Sequence, residues 1–212
     1  DLAASPSGGF AETDQSKEFN TLNPAYHPVE DVGKNPFVKP NGASYASSLI
    51  NGFTPTSRMV CADCHTTGTA GAPAGPHGSN SPFILKGDWD RSTGTSGTQN
   101  DLCFSCHAFS TYGEGANKDD PSVTGFSGEG KNLHAVMVGA RNKAFNDAPI
   151  GCQDCHVAIP HGYLRDHLIG FTGDGAPYVN RPYSGGLIQI DIWRASGQWT
   201  FSSCSTAMNS CK

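Results

Sequence analysis

Three pentapeptides carry the chemistry of this chain: Cys61-Ala62-Asp63-Cys64-His65, Cys103-Phe104-Ser105-Cys106-His107 and Cys152-Gln153-Asp154-Cys155-His156. In each CxxCH, the two thiols are spaced to add to the two vinyl groups of one haem, and the adjoining histidine is delivered to the iron as an axial ligand. Cysteine and histidine each supply 8 of 212 residues, so chance predicts roughly 0.01 such pentapeptides in the chain. Three copies set the expectation of three covalently bound haems c, attached at Cys61, Cys64, Cys103, Cys106, Cys152 and Cys155 and ligated by His65, His107 and His156. Paired CxxC knuckles can also hold zinc tetrahedrally. Here each pair runs directly into histidine, which favours haem.

Each iron then needs a sixth ligand: histidine, methionine or an open position. Five histidines remain: His27, His77, His134, His161 and His167. His77 and His161 sit in Pro-His-Gly, where proline stiffens the approach and glycine lets the chain turn away from a porphyrin face. His27 precedes Pro28, which holds it extended. His134 has Leu133 and Met137 nearby to cover a haem edge. These four are the candidate distal ligands, and His167, in Arg165-Asp166-His167, reads as a solvated residue. His161 follows His156 by five residues, at most ~18 Å of extended chain. That is too short to round the edge of the haem His156 holds, so His161 is expected to serve a neighbouring one. Met59 lies too close to Cys61 to reach a far face. With histidine on both sides, reduction potentials should be low.

The elements that must position these groups are sparse. Glycine (26) and proline (14) interrupt both helical and strand periods, and only 36% of the chain is hydrophobic. The expectation is an irregular, loop-rich fold with few short helices and a small C-terminal β element, in which haems take the place of an aliphatic core. A net charge of −5 disfavours a nucleic-acid reader. No run of 18 or more apolar residues offers a membrane span. Haem attachment to CxxCH takes place outside the cytoplasm, so the chain is expected to be exported, to the cell surface, the extracellular space or the periplasm, with Asp1 as a processed start.

Three stretches follow from the motif positions: a haem-free N-terminal arm over 1–58, a triheme core over 59–170, and a C-terminal segment over 171–212. In the last, Leu187-Ile188-Gln189-Ile190-Asp191-Ile192-Trp193 alternates as a strand. It suits either half of a hairpin on the core or an edge that pairs with another subunit. Cys204 and Cys211 are spaced for a disulfide in an oxidising compartment. A helix is expected over Lys131–Phe145, where Leu133, Val136, Met137 and Ala140 recur at helical spacing, and short helical turns at each CxxCH.

The contexts Asn23-Pro24-Ala25-Tyr26-His27-Pro28-Val29-Glu30, Gly75-Pro76-His77-Gly78-Ser79-Asn80, Asn132-Leu133-His134 and Ile159-Pro160-His161-Gly162-Tyr163 resemble the outer-surface multihaem c-type cytochromes of metal-reducing bacteria. The resemblance covers roughly residues 20–170. Some relatives in that class polymerise into extracellular filaments in which a histidine of one subunit ligates a haem of the next. The resemblance implies long-range extracellular electron transfer, with other copies of the chain, redox proteins or extracellular acceptors as partners. The chain departs from the class in carrying three motifs, where four or more are common, and in having Met137 where relatives often place a second histidine.

The expected function is therefore electron transfer without substrate chemistry, as a filament subunit in which His27 caps a neighbour's haem, or as a soluble periplasmic shuttle. A multihaem reductase is the competing class. It requires an open iron with acid and base groups around it.

Overall fold

The computed structural model describes residues 14–34, 48–68, 71, 73, 75–142, 148–170, 174, 177 and 178. The strand expected over 187–193 and the Cys204–Cys211 disulfide lie outside these residues.

Among the described residues regular structure is minimal. The α-helices there are single turns: α1 (Gln15–Glu18), α2 (Phe109–Tyr112) and α3 (Leu133–Met137). Two-residue strands among the described residues form three antiparallel pairs. They are β1 (Ala25–Tyr26) with β6 (Gly162–Tyr163), β2 (Ser127–Gly128) with β3 (Lys131–Asn132), and β4 (Arg141–Asn142) with β5 (Ala148–Pro149). The loop-rich character follows from the glycine and proline content. The helix expected over Lys131–Phe145 is much shorter than its apolar spacing suggests. Val138 is already extended, at φ −66° and ψ 130°. Gly139 follows at φ +78°, a conformation open to glycine that ends a helix.

The described residues build two small apolar clusters. One centres on Leu133, Ile150 and Ile169, with Phe126, Val136 and Met137 packed against it. The other joins Val157, Tyr163 and Tyr178. Among the described residues, the most deeply buried large side chains are Glu18, Val157, Asn132, Thr93, Thr124 and Ser48, and only one of these is aliphatic. Burying polar groups is costly unless they are hydrogen-bonded, and apart from the Ser48 hydroxyl these are, so the interior is organised by directed bonds as much as by apolar area. No helix among the described residues is long and apolar enough to cross a membrane.

Long-range pairing draws residues 14–34 onto the segment after the third motif. Ala25 lies opposite Tyr163 and Tyr26 opposite Gly162. The His27 amide donates to the His161 carbonyl at 2.8 Å. Gly162 is essential to this contact, because a Cβ there would stand 1.7 Å from the Glu18 carbonyl oxygen.

Candidate haem-ligating site

Each CxxCH folds into the same tight turn. The amides of His65, His107 and His156 donate to the carbonyls of Cys61, Cys103 and Cys152 at 2.7, 2.9 and 2.9 Å. This four-residue bond sets each histidine one turn beyond its first cysteine, on the same side. In the first and third turns the aspartate of the motif closes the start. Asp63 accepts from the Val60 amide at 2.8 Å and Asp154 from the Gly151 amide at 2.9 Å. Asp154 is buried and also accepts from Arg91 Nε and Nη2 at 3.1 and 2.8 Å.

A short extended segment pairs with each motif histidine: Leu85 opposite His65, Leu49 opposite His107 and Ile169 opposite His156. The amides of Lys86, Ile50 and Gly170 donate to the carbonyls of Cys64, Cys106 and Cys155 at 2.8–2.9 Å. In the first and third units the same segment also orients the imidazole. His65 Nδ1 lies 2.9 Å from the Phe83 carbonyl and His156 Nδ1 lies 2.9 Å from the His167 carbonyl. Both carbonyls are aimed by two successive left-handed residues, Phe83-Ile84 and His167-Leu168, with φ of 58–59°. Sequence reasoning missed these carbonyls. His167, read as solvated, is exposed as a residue, yet its carbonyl orients His156 and its side chain is near enough to His134 and His156 to act on both electrostatically.

The distal candidates converge on these turns. His161 faces His65 with 6.0 Å between ring centres, His27 faces His107 at 6.5 Å, and His134 faces His156 at 6.5 Å. A metal bonded at about 2.0 Å to two opposed imidazoles, with about 1.1 Å from each nitrogen to its ring centre, separates the centres by about 6.2 Å. The three spacings therefore match a single ion between each pair. Among the described residues His77 has no ring pairing with a motif histidine, although Gly75 near it hydrogen-bonds Thr66, next to His65. His77 is exposed and its ring folds back over Gly75, where an added Cβ would meet its Nε2 at 2.9 Å.

The distal rings are also held at Nδ1. His27 Nδ1 bonds the Pro160 carbonyl, His161 Nδ1 lies 2.6 Å from Glu18 Oε2, and His134 Nδ1 lies 3.2 Å from Thr124 Oγ1. Engaging Nδ1 fixes the tautomer and leaves Nε2 as the nitrogen available to a metal. Asn132 explains why Asn-Leu-His presents its histidine. Its buried side chain caps α3, accepting from the His134 and Ala135 amides, while its Nδ2 donates to the Thr111 carbonyl at 2.8 Å. Tyr112 stands edge-on to both His107 and His134, at 5.7 and 5.0 Å, and so touches a ring of the second pair and a ring of the third.

Electrostatics favour neutral donors. Burial pushes His107 and His156 down to about 4 and His134 to about 3, and it lowers His27 too. Neutral imidazole is the metal-binding form. Burial also raises the thiols, Cys106 to about 11 and Cys152 and Cys155 to about 12. Reactive and zinc-bound cysteines need the opposite shift. Among the described residues no group of three or more His, Cys, Asp or Glu side chains is placed to hold a metal ion, so each site offers a pair of imidazoles. Around the first motif Val60, Phe83 and Ile84 are exposed apolar side chains, a surface suited to cover by a flat apolar group. Beside His107, the buried Ser48 hydroxyl has no hydrogen-bond partner among the described residues. These features fit a haem at each pair.

A family model described as a doubled CXXCH motif matches residues 54–110, a span that holds the first two motifs. No curated protein and no solved structure matches the chain. The CXXCH motifs indicate covalent haem c, and the doubled motif is that of multihaem c-type cytochromes, which are generally electron carriers.

Proposed function

We propose that this chain carries electrons through three bis-histidine haems c, held by the pairs His65–His161, His107–His27 and His156–His134. The observation that carries the reading is the opposition of a second imidazole to every motif histidine at 6.0–6.5 Å. When bound, haem supplies one-electron iron redox chemistry. The chain's part is to fix the axial ligands, withhold water from them and set their basicity through the Nδ1 partners. With a ring facing each motif histidine, no axial position is left for a substrate. That favours a carrier over a reductase.

The location this reading favours is outside the cytoplasm, where haem is attached to CxxCH. A filament of copies and a discrete shuttle would share the same three centres. His27 faces His107 of its own chain, so the geometry favours a carrier complete within one chain over ligand donation to a neighbour. Optical and paramagnetic spectra of the native protein test the central claim. Three low-spin haems and no carbon monoxide binding on reduction are expected. A five-coordinate haem would return the reductase to first place. Electron microscopy of the same sample separates discrete particles from filaments.

A further inference from the structure

Five of the six facing histidines have an Nδ1 partner, and these partners differ in charge. His27, His65 and His156 bond neutral main-chain carbonyls. His134 bonds the Thr124 hydroxyl at 3.2 Å, and that hydroxyl donates onward to the Phe126 carbonyl. His161 alone among these five has a carboxylate, Glu18, at 2.6 Å.

Glu18 is 0% exposed and its position is over-determined. Asp14 caps α1 by accepting from the Ser16 amide. Asn23 Nδ2 bonds the Lys17 and Glu18 carbonyls at 2.8 Å. Gly162 packs directly on the Glu18 carbonyl. Tyr178 donates its hydroxyl to Glu18 Oε1 at 2.5 Å, and Phe19 lies against the His161 ring at 4.8 Å. With Nε2 turned to a metal, Nδ1 of His161 carries the proton, so both partners of Glu18 are donors and the carboxylate accepts from each.

A carboxylate accepting from Nδ1–H raises the donor strength of the opposite nitrogen and stabilises the oxidised metal. Burial preserves that effect, since little water screens it.

We propose that Glu18 makes the haem held by His65 and His161 the lowest-potential centre of the three and so gives the electron path a direction, away from the first motif. This rests on the bis-histidine reading above. Glu18 is a positioning and tuning residue acting through His161.

The test is a redox titration of the haem-loaded protein, followed optically and by paramagnetic resonance, for the native chain, Glu18→Gln and Tyr178→Phe. Glu18→Gln is expected to raise the lowest midpoint by a tenfold shift in its reduction equilibrium, 59 mV for one electron, with all haems still low-spin. Tyr178→Phe is expected to lower the same midpoint, because the carboxylate is no longer shared. His161→Ala, by turning that haem high-spin, identifies it as the one that moves. Unmoved midpoints in both tuning variants, or a shift in a different haem, would overturn the inference while leaving bis-histidine ligation intact. A native spectrum with fewer than three low-spin haems would instead sink the ligation reading itself, whatever the midpoints do.

Discussion

The ring planes of His134 and His156 lie 5° apart, whereas those of His65 and His161 are inclined by 55° and those of His107 and His27 by 70°. Parallel axial imidazoles donate into the same iron orbital and split it from its partner, while crossed rings leave the two nearly degenerate. Frozen-solution paramagnetic resonance of the oxidised protein should therefore contain one rhombic low-spin signal and two strongly anisotropic ones. Three rhombic signals would contradict the ring angles.

His27→Ala, His134→Ala and His161→Ala should each turn a single haem high-spin and open it to carbon monoxide, leaving two unchanged. His77→Ala should leave all three untouched, since that residue is exposed and no motif histidine has its ring as a neighbour among the described residues. A high-spin band in the His77 variant would place His77 on the ligand list.

Gly162→Ala would press a methyl group against the Glu18 main chain, where the available gap is 1.7 Å. Because the obstacle is backbone, relief requires the β1–β6 pairing to shift, at a cost of about 3 kcal/mol. Denaturant unfolding should show that loss. The spectra of the two haems served by His27 and His161 should change with it, while the third stays as it was.

Arg91→Ala should destabilise the third motif. Asp154 has a side chain 5% exposed and paired to Arg91 at 2.8 Å, so removing the guanidinium leaves a buried carboxylate without its counter-charge, with the Gly151 amide still bonded to it, at about 3 kcal/mol. Chemical denaturation measures the loss. Arg91→Lys should recover only part of it, because a single ammonium cannot reproduce the two-point contact.

Much of the candidate site was legible in local sequence. The CxxCH turns depend on contacts within five residues, and Asn132 three residues ahead of Ala135 is a helix-capping signal that sets His134 in place. The five-residue step from His156 to His161 argued for service elsewhere, and the structure sets that ring against His65. What sequence could not supply was main-chain placement over distance. The carbonyls of Phe83 and His167 work through backbone conformation, which no residue type announces. The return of residues 25 and 26 onto 162 and 163 depends on a glycine whose role appears only when Glu18 is beside it. The apolar spacing over Lys131–Phe145 overstated a helix because Gly139, at φ +78°, ends it.

The facing pairs also fix an order of completion. Synthesis runs from the N-terminus, and His27 precedes His107 while His134 precedes His156, so two of the centres have both rings available once their motif has emerged. The first motif is different. On the proposed pairing His65 waits through 161 − 65 = 96 further residues for its partner, so the first motif to be made would be the last to be capped. His161 would then act as a latch, and a chain truncated before it would carry all three CxxCH motifs yet lack the ring proposed to close the first.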